Sequence, residues 1–369
     1  VNARVLCVNL GSRTAKLSVV RVGGDARLGH APAPEAEATT DIATLDDARS
    51  FASIDLATID VIAYRVVRIS TLPDRDAVPF DATTRAAIAA SAEFAPLHTR
   101  SVLAAADALQ KSAPHARHVA TFDAAFHRTI PDRAAVYGLP YDDAVAGWRK
   151  VGFHGLSYAY AAARVREVLG TDRARKIVAL HLGGGCSACA IDDGRSVETT
   201  MGFTPTDGLI MATRSGSVDI GLLLAYMRAK KLSIDDAEAV VSERSGLLGL
   251  GGSSDMREIE ASRARGDVRA ALAYDVFVHR ARAAVGAMSA ALHGVDAIAF
   301  MGGIGEHSAS VRADICAAFA FLGVTIDAAA NASPSGDAIV SSADSRVPVL
   351  RIETREDWSM AIAGTSVTS

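Results

Sequence analysis

The run KIVALHLGGGCSACAIDDGRSVETT (176–200) decides the fold. Apolar residues from Ile177 to Leu182 read as a strand that delivers the chain to three consecutive glycines, Gly183, Gly184 and Gly185. Such a turn can take φ > 0 and bring its N–H groups close to a ligand. A second strand follows. The same plan appears earlier: RVLCVNL, turn GSRT, then AKLSVVRV, covering 4–22. Superposing Asn9-Leu10-Gly11 on His181-Leu182-Gly183 gives an offset of 172. A second echo pairs Ile59–Tyr64 with Val295–Phe300 at an offset of 236. The offsets differ by 64, which places an insertion in the second copy, and residues 219–265 are helical and loop-rich enough to supply it. Together the echoes predict two related α/β halves with a cleft between them.

The remaining elements fit this frame. Residues 23–53 are rich in Ala, Pro and Asp and read as irregular. IDVIAYRVV (59–67) reads as a buried strand with Arg65 near its end, and 81–110 as helix broken at Pro96-Leu97-His98. HVATFDAAFH (118–127) is a strand with Asp123 where it finishes. A long Ala-rich helix spans 267–293, and VDAIAFMGGIGEHS (295–308) is a strand running into a glycine-rich helix start. The chain closes with the strand VPVLRIE and a terminal helix whose first turn holds Glu356 and Asp357.

Composition narrows the function. A chain of 369 residues favours two domains. Its net charge of −4 comes from 38 basic and 42 acidic residues, interspersed, which argues against a nucleic-acid or membrane-surface binder. No stretch approaches the roughly 18 continuous apolar residues that cross a bilayer, and the opening apolar run is too short for a signal-peptide core. Four cysteines in so long a chain fit a reducing, cytoplasmic setting. Cys186 and Cys189 form a CxxC, but no second pair completes a zinc site, so they read as structural. The triple glycine, and the Thr/Pro/Gly-rich loop MGFTPTDGLIMATRSGS (201–217) with Arg214 in it, predict a phosphate-handling site. No GxxxxGK[ST] occurs, and GGIG does not extend to the dinucleotide fingerprint.

Nine passages in order resemble the acetate kinase family: NLGSRTAK (9–16), APLH (95–98), TFDAAFH (121–127), GFHGLS (152–157), HLGGG (181–185), MGFTPTDGLIMATRSG (201–216), SSDMR (253–257), GGIGE (302–306), and Thr354 with Glu356. The resemblance implies an actin-like, sugar-kinase-like (ribonuclease H-like) fold of two duplicated domains with nucleotide in the interdomain cleft. It places an N-terminal, substrate-side domain at 1–125 plus 357–369, and a nucleotide-binding domain at 126–356. The implied reaction is reversible transfer of the γ-phosphoryl of ATP to acetate, giving acetyl phosphate and ADP, with Mg²⁺ and in a homodimer. A kinase using another short-chain acid, such as propionate, or another phosphoryl donor is an alternative. A low-turnover nucleotide-binding homologue, acting as sensor or scaffold, is the reading from a different class.

By the same resemblance Arg65 orients the carboxylate, Arg214 stabilises the transferring group, and His154 donates to the transition state with His98 nearby. Asp123 matches the family's acid/base, although a carboxylate acceptor is already nucleophilic and needs no base, so an orienting role suits it better. Val67, Leu97, Phe153 and Pro205 match the small apolar pocket. Asn9 and Glu356 match the magnesium site, with the oxygen donors a hard cation takes. Lys16, His181, Leu182, Gly183, Gly184, Gly185, Asp255, Met256, Arg257, Gly303, Ile304, Gly305, Glu306 and His307 match nucleotide-binding segments.

The chain also departs from the pattern. Arg68-Ile69-Ser70 replaces His-Gly-Gly, Gly184 replaces Asn, Arg13 replaces Ser, Thr99 and Arg355 each replace Asn, and Ile220 replaces Pro.

Overall fold

The apolar run of 4–10 is buried on both faces because it becomes a central strand. The computed structural model describes residues 2–11, 14–44, 51–69, 71–92 and 96–367, the side chains of Ala43, Pro96, Leu97 and Val145 excepted. Of the departures from the family pattern, Arg13 and Ser70 lie outside the described residues. Two compact units result. One comprises Val1–Arg128, His154–Arg164 and Arg355–Ser369; the other comprises Thr129–Phe153 and Val165–Thr354.

In the first unit β1 (Ala3–Leu10), β2 (Thr14–Val22), β3 (Ala36–Asp41), β4 (Val61–Val66), β5 (Ala77–Pro79) and β6 (Arg117–Phe122) form one sheet. Its order is β3-β2-β1-β4-β6-β5. Strands β1, β4 and β6 run parallel, whereas β2, β3 and β5 pair antiparallel with their neighbours. Side chains alternate across the pleat. Leu6, Val8, Ile62 and Tyr64 therefore pack with Val102, Ala105, Ala106 and Leu109 of the helix Pro96–Ser112. The opposite face receives the helix Glu356–Thr365, where Gly364 closes against Val61, Ala63 and Val119. Parallel strands buried on both faces explain the near-continuous apolar sequence.

The second unit repeats the plan. Its strands are β7 (Lys176–Leu182), β8 (Cys186–Asp192), β9 (Arg195–Thr199), β10 (Ala297–Met301), β11 (Ala338–Ile339) and β12 (Val349–Arg351). Read from β9, the order is β9-β8-β7-β10-β12-β11, position for position that of the first sheet. Register agrees too. Val5 pairs Val61 in one sheet and Ile177 pairs Ala297 in the other, which are the partners that offsets of 172 and 236 require. The inserted segment between β9 and β10 folds as helices Ile220–Lys230, Ile234–Glu243, Gly246–Gly251 and Met256–Ala264 before the long helix Val268–Ala291.

Two expectations need correction. Residues 23–53 are not wholly irregular, because AEATTD forms β3 with alternating half-burial. Its Glu, Thr and Asp residues conceal it, since an edge strand buries one face only and tolerates polar composition. The strand expected over 118–127 stops at Phe122, and Ala125–Thr129 is a 3₁₀ turn.

Candidate active site

The first unit gathers its polar residues at the ends of its parallel strands. Asn9 sits near the end of β1, Arg65 near the end of β4, and Asp123 just past β6. Strands that run the same way present their ends side by side, and ligands bind outside such ends in open α/β sheets. Arg65 Nε and Nη2 donate to Asp123 Oδ1 and Oδ2 at 3.2 and 3.0 Å, a bidentate pair. Arg65 Nη1 donates to Asn9 Oδ1 at 3.0 Å and lies 3.5 Å from Glu356 Oε2. Asn9 Nδ2 donates to that same Glu356 oxygen at 2.7 Å. Burial is the largest influence on the Arg65 pKa and lowers it; Asp123 and Glu356 together outweigh it and hold the guanidinium above its ordinary value. Arg65 is a fixed cation whatever the pH.

The segment GFHGLS closes over Asp123. His154 has φ of 59°, left-handed for a non-glycine residue, and its N–H donates to Asp123 Oδ2 at 2.9 Å. Strain of this kind persists only where surroundings hold it, and it clusters at functional sites. Gly155 N–H then donates to the Asp123 carbonyl at 2.8 Å. A Cβ on Gly155 would stand 2.2 Å from that carbonyl oxygen, so only glycine allows this approach. Five of the expected residues, Asn9, Arg65, Asp123, His154 and Glu356, are thus brought together. Val67 follows β4 and is buried; His98 is half-buried in the first turn of Pro96–Ser112. Leu97 shares that turn, and its side chain is outside the described part. Lys16 lies on β2, half-exposed, and pairs with Glu37 at 2.9 Å.

In the second unit the strand ends carry glycine instead. Gly183, Gly184, Asp255, Met256, Arg257, Gly303, Ile304 and His307 line a cavity of about 840 Å³. Gly302, with φ of 77°, lets the chain leave β10 in contact with Leu182, where a Cβ would meet the Leu182 oxygen at 2.6 Å. The Gly302 N–H donates to Thr354 Oγ1 at 2.8 Å. Asp255 caps the helix Met256–Ala264 through the Arg257 N–H, and its carboxylate also holds the Arg257 guanidinium at 2.6 Å. Leu182 is fully buried, His181 is half-buried on β7 opposite Met301, and Gly185 closes the turn by accepting from the Gly183 N–H. Gly305 packs on Phe300. Glu306 accepts from Thr354 N–H at 3.0 Å and Oγ1 at 2.6 Å, with Arg351 at 3.5 Å, so its carboxylate ties the chain rather than lining the cavity.

Sequence reading missed Ala212, Ser254, Glu260 and Ser308, which complete the lining. Glu260 was within reach: it sits four residues after Met256 on one helix, hence on the same face.

The loop bearing Arg214 is sewn to the same glycine turn. Ala212 N–H donates to the Gly184 carbonyl at 3.3 Å, and Met211 N–H to the Arg214 carbonyl at 3.1 Å. Arg214 Nη1 donates to the Pro205 carbonyl at 3.1 Å. Burial pushes the Cys186 thiol up to about 12, opposed by the Gly183 backbone and by the charge of Arg214, so that charge is felt at the turn. Pro205 is half-buried in this loop, and Phe153 is buried within the same unit.

Duplicated α/β domains of this sheet order define the actin-like class, and the cavity beside a glycine turn points to its phosphotransferases. Comparison with known proteins then narrows the class. The Acetokinase family profile matches residues 4–362. An acetate kinase of Nostoc punctiforme is 42% identical over 330 residues, covering 89% of this chain and 81% of that protein. The crystal structure of Porphyromonas gingivalis acetate kinase matches with a TM-score of 0.86 and 30% identity, covering 99% of both chains. That of a propionate kinase from Francisella tularensis matches with a TM-score of 0.87 and 29% identity, over 99% of this chain and 100% of that one. The chain belongs to the acetokinase family, phosphotransferases whose acceptor is a carboxyl group.

Proposed function

We propose that this protein transfers the γ-phosphoryl group of ATP to acetate, reversibly, yielding acetyl phosphate and ADP. An acetate oxygen forms the new bond to phosphorus, the bond to the ADP oxygen breaks, and ADP leaves with that electron pair. Both reactants are anions, so fixed positive charge is the main requirement. The single observation that carries this reading is Arg65, a half-buried guanidinium at a strand end, locked by Asp123 and Asn9. Arg65 receives the acetate carboxylate. Asp123 is the positioning residue that aligns it, since its oxygens are already engaged by Arg65 and the His154 N–H. Arg214 neutralises the phosphoryl group in transit, a role in which an arginine can supply ~10³–10⁵ in rate, and His154 donates a hydrogen bond to it. The cavity at Gly183 and Gly303 takes the nucleotide.

The oxygen donors of Asn9 and Glu356 are of the kind Mg²⁺ takes, and the two side chains lie in contact, Asn9 Nδ2 donating to Glu356 Oε2 at 2.7 Å. Magnesium commonly uses one or two protein ligands and keeps several waters. Asn9 Oδ1 and the Glu356 carboxylate would hold it, and the ion when bound would offset charge on the phosphates.

Val67, Leu97, Phe153 and Pro205 are the apolar residues we assign, by residue type, to a short alkyl group. Discrimination by one methylene is worth only ~1–3 kcal/mol, so propionate remains a second acceptor. A homodimer is supported by the helix Ile220–Lys230, which buries none of its residues and exposes Ile220 at 76% and Leu222 at 60%. No helix among the described residues is long and apolar enough to cross a membrane, and all four cysteines are free thiols, which supports a cytoplasmic setting.

A hydroxylamine trap with ATP, Mg²⁺ and acetate tests the reading. Acetyl hydroxamate forming in step with ADP is the expected result. ADP binding without hydroxamate would mark a sensor or scaffold instead.

A further inference from the structure

The cavity wall is held from behind by a guanidinium that the reaction above does not use. Arg312, on the helix Ala309–Ala317, is 1% exposed. Its Nη1 donates to the main-chain oxygens of Gly305 and Glu306 at 2.8 and 2.9 Å. Its Nε donates to Asn331 Oδ1 at 2.7 Å, and its Nη2 to the Asn331 carbonyl at 2.6 Å. None of these four acceptors is a carboxylate. Burying a guanidinium among uncharged oxygens is costly, and a methionine or leucine would fill the space at less expense. Packing alone therefore does not account for it.

What it holds does. Gly305 and Glu306 belong to the last turn of the helix Gly302–His307, where carbonyls have no partner within the helix. Basic side chains satisfy such carbonyls well. The same short helix presents Gly303, Ile304 and His307 to the cavity. Six residues cannot hold a helical shape unaided, because nucleation is unfavourable and short helices are marginal in water. Asn331, the other end of the clamp, is itself fixed through Nδ2 to the Ala309 carbonyl at 2.8 Å. Glu306 is fixed on its side-chain end by Thr354 and Arg351.

We propose that Arg312 is a positioning residue for nucleotide binding, its planar fork fixing the helix Gly302–His307 so that Gly303, Ile304 and His307 meet the nucleotide. The inference rests on the reading that this cavity takes ATP and ADP. Lysine cannot replace it, since three donors on one atom do not span three main-chain carbonyls and a side-chain amide oxygen.

Titration calorimetry with Mg-ADP on wild type, Arg312→Lys, Arg312→Met and Asn331→Ala tests it, with KM for ATP and for acetate measured alongside. Absence of ADP binding by wild type would overturn the nucleotide reading itself. Given wild-type binding, both Arg312 variants should weaken ADP at least tenfold, about 1.4 kcal/mol. KM for ATP should rise with it, while KM for acetate stays within twofold. Asn331→Ala should weaken ADP by a smaller factor of about three to five. An Arg312 variant that folds and binds ADP within twofold of wild type overturns the inference, as does a parallel rise of both KM values. If neither Arg312 variant folds, an unchanged ADP affinity in Asn331→Ala overturns it.

Discussion

The two units share a sheet and differ at the ends of their strands. In the first unit the central parallel strands end in side chains that carry charge or hydrogen bonds: Asn9 on β1, Arg65 on β4, Asp123 after β6. In the second the equivalent ends give glycine, at Gly183–Gly185 after β7 and at Gly302 and Gly303 after β10. The offset of 236 that superposes Tyr64 on Phe300 sets Arg65 opposite Met301. One copy therefore offers fixed side-chain charge and the other offers open backbone. A compact carboxylate suits the former, a large polyphosphate the latter. Duplication supplied the scaffold, and the chemistry lies in the few residues where the copies diverge.

The largest expected effect comes from removing positive charge. Arg65→Ala and Arg214→Ala should each lower kcat/KM for acetate by at least ~10², and about 10³ for whichever meets the phosphoryl group. Circular dichroism should show an unchanged fold. Near-normal turnover in either would mean that charge at that position is dispensable.

Asp123→Asn sharpens the comparison on the first unit. It keeps the shape but loses the carboxylate that aligns Arg65, so KM for acetate should rise roughly tenfold or more with KM for ATP little changed. The reverse pattern would detach Asp123 from the acceptor side.

Glycine replacements compare the units directly. Gly155→Ala puts a methyl 2.2 Å from the Asp123 carbonyl oxygen and should cost about 2–4 kcal/mol in denaturant melts. Gly184→Asn meets no atom within 4 Å of its Cβ and should change stability by no more than ~0.5 kcal/mol. Equal costs at both positions would contradict the distinction drawn between a packed and an open turn.

The smallest effect concerns the cysteines. Burial raises the Cys7 thiol and pushes Cys186, Cys189 and Cys316 up to about 12. At pH 8 a disulfide reagent should leave all four unlabelled in the native protein and label them once it is unfolded. A folded pKa above the unfolded one stabilises fully below the unfolded value, near pH 9, and that contribution fades as pH rises toward 12. Stability should therefore decline over that alkaline window, and replacing Cys189 with Ala should flatten the slope.

Much of this was legible in the sequence. The duplication could be read because burial on both faces forces apolar runs at β1, β4, β7 and β10, and the turns after β1 and β7 announce themselves in glycine and serine. Arg65, Asp123 and His154 stood out through their motifs. Glu306 shows where such reading stops: it shares a motif with Gly303 and Ile304, yet its carboxylate turns to Thr354 and Arg351. A motif fixes identity and spacing, whereas the direction of a side chain depends on partners about fifty residues away along the chain. Edge strands such as β3 escaped for a related reason, since half-burial leaves little trace in a polar hexapeptide. Arg312 escaped as well, because an arginine on a helix looks like surface until its burial is known.

The most direct measurement of the central claim is phosphorus NMR of the reaction of ATP, Mg²⁺ and acetate labelled with ¹⁸O in both carboxylate oxygens. Attack of an acetate oxygen on the γ-phosphorus predicts acetyl phosphate with one ¹⁸O bridging carbon and phosphorus, together with unlabelled ADP. Label appearing in AMP, or no labelled acetyl phosphate at all, would contradict it.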